Sequence, residues 1–135
     1  MADAPKVRSD ALLEAARRVR ENAYAPYSGF RVGAALETES GSVHVGANVE
    51  NASYGATVCA ERAAVAGMIA AGDRRIKRIA VYAEGPTLAM PCGMCRQVLS
   101  EFGLDAAVIV GGPAGSRTTT LAALLPEPFV FEVKP

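Results

Sequence analysis

The sequence predicts an α/β protein, a mixed sheet covered by helices. Three observations predict it: stretches whose apolar residues recur at helical spacing, five short runs rich in aliphatic and β-branched residues, and an alternation of helix and strand after an initial hairpin. The 135 residues suit one compact domain, 1–135, with no internal repeat and no linker. Ser9 is placed to cap a helix in which Leu12, Leu13, Ala16 and Val19 share one face. Tyr24-Ala25-Pro26-Tyr27-Ser28-Gly29 breaks that helix. Phe30–Leu36 and Val43–Val49 read as strands, with Glu39-Ser40-Gly41-Ser42 between them as the hairpin signal. Asn51–Gly55 is a loop, and Ala60–Ala71 is an alanine-rich helix that Gly72 ends. Ile76–Ala83 follows as a third strand, Glu84–Pro91 as a loop, and Cys92–Phe102 as a third helix with Gly103 at its end. Ala106–Val110 is a fourth strand, Gly111–Arg117 a turn, Leu121–Leu125 a short helical piece and Phe129–Val133 a last strand.

Fourteen Lys and Arg balance fourteen Asp and Glu, so the chain lacks the basic excess of a nucleic-acid binder. Its densest basic run, Arg74, Arg75, Lys77 and Arg78, reads as a solvated turn and strand start. No apolar stretch approaches membrane-spanning length, and Met1–Asp10 lacks the apolar core of a secretory signal. A cytoplasmic protein with neither nucleic acid nor membrane as partner is expected. The three Cys are an odd number, which excludes a complete disulfide framework; clustered Cys in a reducing compartment point instead to metal binding or catalysis.

Those Cys fall in two clusters, Cys59-Ala60-Glu61-Arg62 and Pro91-Cys92-Gly93-Met94-Cys95, each at the predicted start of a helix. Cys92 and Cys95, three apart, project from one face of a first turn. A helix N-terminus favours negative charge, so these thiols are expected to ionise readily and two facing N-termini to form a pocket for zinc. His44 lies mid-strand and reads as an exposed strand residue. That leaves zinc three protein ligands and an open position for water, the catalytic pattern; His44 as a fourth ligand would instead close a structural site. Arg62 and Arg96 follow the clusters and are candidates to hydrogen-bond the sulfurs. Glu61 is either a first-turn acidic residue serving the helix dipole or, with Cys59 ending the loop, a proton carrier beside the open position. A Cys-x-x-Cys pair alone is also compatible with a thiol oxidoreductase.

The combination of ligand-x-Glu with Pro-Cys-x-x-Cys is the zinc deaminase signature. Over nearly its whole length the sequence resembles the small homotetrameric cytidine deaminases. Four stretches carry the likeness: Pro26–Leu36, Asn48–Tyr54 with Gly55, Cys59–Arg62 and Pro91–Gln97. The resemblance implies a three-layer α/β/α sandwich with a mixed five-stranded sheet, one Zn²⁺ per chain on Cys59, Cys92 and Cys95, and Glu61 as the proton shuttle that also meets the pyrimidine N3. It implies hydrolysis of cytidine and 2′-deoxycytidine to the uridines with release of ammonia by a zinc-hydroxide mechanism, in pyrimidine salvage. It further implies that Phe30 lies against the base and that Asn48 and Glu50 hydrogen-bond the ribose 3′-hydroxyl. The resemblance also implies a tetramer whose sites are completed across subunits, with Ala52 and Tyr54 touching the sugar of a neighbouring subunit's substrate; Tyr27 is similar to a family residue near the subunit contacts. Leu124-Leu125-Pro126-Glu127-Pro128-Phe129 is similar to the family's Leu-Leu-Pro-x-x-Phe, whose Phe closes over a neighbouring base. Val130–Pro135 departs from the family and alternates like a strand, closer to the ending of blasticidin-type antibiotic deaminases; Asn48–Tyr54 decides for cytidine.

Overall fold

A computed structural model describes residues 4–132, with side chains from residue 6. Helix α1 spans Ala4–Arg20, strands β1 and β2 span Val32–Thr38 and Val43–Ala47, helix α2 spans Ala60–Ala70 and strand β3 spans Ile76–Ala83. Helix α3 (Gly93–Gly103), strands β4 (Ala107–Gly112) and β5 (Gly115–Thr120) and the short helix α4 (Leu121–Leu124) complete the order. The five strands form one sheet in the order β2-β1-β3-β4-β5, antiparallel except for the β3–β4 pair.

The central strands bury both faces, and their residues alternate between two cores. Leu12 and Ala16 of α1 pack with Ala35, Ala80 and Ile109 on one side. On the other, Ala60, Ala64 and Met68 of α2, Leu99 of α3 and Leu121 of α4 pack with Ala34, Leu36, Ile79, Val81, Val108 and Val110. The result is the three-layer α/β/α sandwich with a mixed five-stranded sheet.

Topology places the two cysteine clusters together. β2 and β3 are both antiparallel to β1, so they point the same way. α2 follows β2 and α3 follows β3, so both helices begin at the same end of the sheet and lie on the same face. The parallel β3–β4 pair requires a crossover, and α3 supplies it.

Two glycines let helices settle onto the sheet. A Cβ on Gly33 would lie 1.9 Å from the Ala16 carbonyl oxygen of α1. One on Gly46 would lie 2.4 Å from the Ala64 nitrogen and 2.6 Å from the Ala60 oxygen, both backbone atoms of α2. Gly46→Ala must therefore push α2, with Cys59 and Glu61 at its start, away from the sheet. It is expected to cost about 1–3 kcal/mol in urea unfolding and to lower turnover more than a surface substitution of equal stability cost. Wild-type stability in this variant would refute the close approach.

Several sequence expectations need correction. Ser9 lies inside α1 and is not its cap, because the helix continues back to Ala4. Phe30 and Arg31 precede β1. The predicted turn Gly111–Arg117 is mostly strand: β4 runs to Gly112 and β5 starts at Gly115, leaving Pro113-Ala114 as the tip. β5 escaped notice because Gly-Ser-Arg-Thr-Thr-Thr is an edge strand with no apolar face. The expected strand at Phe129–Val133 is absent over 129–132, where the chain pairs with no strand; Val133 lies outside the described residues. Arg78, read as solvated, is 8% exposed and ion-pairs with Glu37, its cross-strand neighbour on β1.

Candidate functional site

Cys59 and Cys92 are the N-cap residues of α2 and α3, each with extended backbone, at φ −71°, ψ 154° and φ −69°, ψ 169°. Their carbonyls accept the first helical hydrogen bonds, from Ala63 N at 3.0 Å and Arg96 N at 2.9 Å. Cys95 sits in the first turn of α3. The three Sγ atoms lie within 4.8 Å of one another. A tetrahedral site with Zn–S bonds of about 2.3 Å separates its sulfurs by about 3.8 Å, inside that span. Among the described residues this is the one grouping of three such side chains able to hold a metal ion.

The thiols differ in environment. Cys95 is buried, Cys59 half-buried and Cys92 exposed. Burial first, then the nearby Glu61 carboxyl, pushes the Cys95 thiol well above its ordinary range. For Cys92 partial burial acts upward, but hydrogen bonds from the Cys95 backbone and from the neighbouring thiols outweigh it and hold the group below its ordinary value. At Cys95 burial and like charge thus act against the favour of the helix end, whereas at Cys92 the hydrogen bonds act with it. Three clustered sulfurs of this kind call for a cation, and the donor set fits zinc.

Arg62 brings its own charge to the cluster. Its Nη2 donates to the Thr57 carbonyl at 3.2 Å and lies 3.7 Å from Cys59 Sγ. The Cys59 contact keeps the guanidinium firmly protonated against burial, with Cys95 adding to it. Its Nε is buried with no hydrogen-bond partner among the described residues. Arg96, the other candidate, turns away from the sulfurs and ties Pro91 O at 2.7 Å to Leu124 O at 3.0 Å. His44 is neither exposed nor near the cluster; its Nε2 lies 3.2 Å from Asp73 Oδ2.

Glu61, in the first turn of α2, is 5% exposed and faces a cleft of about 180 Å³ lined also by Phe30, Val32, Asn48, Cys59 and Cys92. Burial raises its pKa, opposed by its backbone hydrogen bond and by Arg62. A carboxyl so placed holds a proton more readily than an exposed one. Asn48, 8% exposed, accepts from Val32 N at 2.8 Å and donates to Phe30 O at 2.9 Å. One N–H of its amide remains free for a ligand.

A second cleft, about 210 Å³, adjoins the first at Thr57 and is lined by Tyr27, Ser28, Glu50, Asn51 and Tyr54. Glu50 accepts through Oε1 from Tyr27 N at 2.9 Å and Ser28 N at 3.1 Å, and through Oε2 from the Ser28 hydroxyl. The Ser28 hydroxyl, above all, holds the Glu50 carboxyl below the usual range, and the two amides add to it. Tyr54 is 78% exposed and meets Tyr27 edge-on at 6.4 Å between ring centroids. Ala52 is exposed and lines neither cleft. Phe129 is 70% exposed and stands apart from both, its backbone clasped by Gln97 through bonds of 2.9 and 3.2 Å. The structure thus brings together Cys59, Cys92, Cys95, Glu61, Arg62, Phe30 and Asn48, sets Glu50 and Tyr54 alongside, and leaves Ala52 and Phe129 on the surface. Thr57 carries no local signal, and the link from Ser28 to Glu50 spans 22 residues of sequence.

Residues 7–111 match the family described as the cytidine and deoxycytidylate deaminase zinc-binding region. The chain is 46% identical over 123 residues to a cytidine deaminase of Halalkalibacterium halodurans, covering 90% of this chain and 93% of that protein. It is 40% identical over 131 residues to the cytidine deaminase of Mycobacterium tuberculosis, covering 97% and 96%. Its fold is similar to the crystal structure of cytidine deaminase from Burkholderia pseudomallei, with a TM-score of 0.85, 48% identity, and coverage of 89% of this chain and 98% of that one.

Proposed function

The chain belongs to the cytidine and deoxycytidylate deaminase zinc-binding family, and on that footing we propose that it hydrolyses cytidine to uridine and ammonia in a single domain, with Cys59, Cys92 and Cys95 holding its zinc. The observation that carries this reading is the junction of the buried Glu61 carboxyl with the three-thiol cluster on one cleft. When bound, zinc supplies the Lewis acidity that makes water a nucleophile at neutral pH. Glu61 takes one proton from that water and gives it to the pyrimidine N3, then takes the second from the new C4 hydroxyl and gives it to the amine. The water oxygen bonds to C4, the bond from C4 to the exocyclic nitrogen breaks, and ammonia departs. Arg62 offsets the negative charge of the thiolates, which otherwise dulls the metal as an acid.

Phe30 lines the base cleft as an apolar wall, and the free N–H of Asn48 and the Glu50 carboxylate receive the ribose 3′-hydroxyl. Nothing in that arrangement addresses the 2′ position, so 2′-deoxycytidine is also a substrate, as befits pyrimidine salvage in the cytoplasm. Among the described residues neither cleft is lined by Lys or Arg, and Glu50 adds negative charge, so a nucleotide phosphate finds no partner there. Tyr54, Ala52 and Phe129, exposed here, complete the sites of neighbouring subunits in a homotetramer. Exposed Tyr24, Tyr27, Phe129 and Phe131 supply apolar surface for that assembly. Among the described residues no helix is long and apolar enough to cross a membrane.

Comparing kcat/KM for cytidine, deoxycytidine, deoxycytidylate and blasticidin tests the substrate. Cytidine and deoxycytidine are expected to react comparably, and deoxycytidylate at least about tenfold more slowly, since its phosphate meets no cation and an opposing carboxylate. Turnover confined to the antibiotic or to the nucleotide would overturn the assignment.

A further inference from the structure

The Glu50 carboxylate has about four lone-pair positions. Tyr27 N and Ser28 N occupy two on Oε1, and the Ser28 hydroxyl occupies one on Oε2. A single acceptor position on Oε2 is left for a ligand. The same Ser28 hydroxyl accepts from Phe30 N at 2.9 Å. One side chain thus joins the residue lining the base cleft to the carboxylate of the adjoining cleft. The backbone here is held without it: Gly29 N bonds Ala25 O at 2.9 Å, Tyr24 N bonds Asn48 O at 3.0 Å, and Glu50 N bonds Tyr24 O at 2.8 Å. Ser28 itself is exposed.

We propose that Ser28 is a positioning residue for sugar recognition, orienting Glu50 so that its one free acceptor position meets the 3′-hydroxyl of a nucleoside whose base lies beside Phe30. This rests on the cytidine reading above. Without the hydroxyl, Oε2 is free to rotate about its two amide contacts, and the carboxylate presents no fixed direction to the sugar. The cost falls on binding of the sugar and leaves the chemistry at Glu61 untouched.

The test compares cytidine with 2′,3′-dideoxycytidine. Ser28→Ala is expected to raise KM for cytidine about tenfold, the equivalent of one charge-assisted hydrogen bond. Its kcat is expected to stay within about twofold, the pattern of lost uniform binding. Dideoxycytidine, with no 3′-hydroxyl to present, loses nothing further, and Ser28→Thr returns KM for cytidine toward the parent value. In a Glu50→Ala background, Ser28→Ala adds no further loss. Equal losses on both nucleosides would mean that Ser28 acts on the whole turn, and an unchanged KM for cytidine would mean that Glu50 needs no such support; either overturns the proposal. Ser28→Cys, which keeps the side chain's bulk but donates weakly, serves the same comparison if the alanine variant does not fold. Failure of the cytidine reading is separate: the unsubstituted protein would then turn over neither nucleoside.

Discussion

Glu61→Ala is expected to keep its fold and its zinc while losing at least about 10²–10⁴ in kcat, the range a positioned general acid–base contributes. The side chain caps nothing and makes no ion pair among the described residues; it is a carboxyl held 5% exposed in an apolar-walled cleft. Burying such a group costs stability, so removing it does not weaken the fold. The metal cluster is untouched, because its three sulfurs come from the caps of α2 and α3 and from the first turn of α3. Zinc content and thermal unfolding should therefore match the parent. Glu61→Gln, of the same shape but unable to take a proton, should lose nearly as much turnover as the alanine variant. A fully active Glu61→Ala protein would remove the proton shuttle from the mechanism.

Cys95→Ala is expected to abolish stoichiometric zinc binding, and with it both activity and part of the stability. Cys95 is the fully buried member of the cluster, and without it the half-buried Cys59 and the exposed Cys92 remain. Metal that binds only the folded chain stabilises it by about 4 kcal/mol when present at a thousand times its Kd. The parent should therefore melt at a lower temperature after chelation. The Cys95→Ala protein should melt near the chelated parent and be insensitive to added chelator. A variant that retains one zinc per chain would contradict the ligand assignment. Both substitutions cut turnover deeply, so zinc content is what separates their causes.

Features encoded over a few consecutive residues were legible in the sequence. The sequence pattern marks β3 at its observed bounds and the alanine-rich α2 to within a residue of its end. Both cysteine clusters were placed at helix starts, because Pro91 and the Cys spacing act over a single turn. Features that depend on distant partners were not. β5 carries no apolar alternation, since an edge strand paired on one side and exposed on its faces needs none. Phe129-Val130-Phe131 has apolar character but no strand beside it among the described residues, so pattern and structure part there. Arg78 reads as a surface cation until β1 brings Glu37 opposite it. His44 reads as a surface imidazole until the α2–β3 turn brings Asp73 to it.

The same division runs through the site. Cys59, Cys92, Cys95 and Glu61 announce themselves by spacing, whereas the Ser28–Glu50 link and the meeting of two clefts at Thr57 need the tertiary fold. Sequence periodicity reports which face a residue occupies on its own element, not what the neighbouring segment places opposite. Close approach is likewise invisible: Gly33 and Gly46 look like ordinary strand glycines until the backbones of α1 and α2 lie against them.

The central claim is that three thiols hold a zinc beside a buried carboxyl and that the assembly deaminates cytidine. Quantifying zinc in the purified protein, and following the cytosine absorbance of cytidine with and without a chelator, tests it most directly. The account predicts about one zinc per chain, loss of the cytosine band, and abolition of that loss when the metal is removed. Turnover of cytidine by a protein stripped of zinc, or bound zinc with cytidine left unchanged, would contradict it.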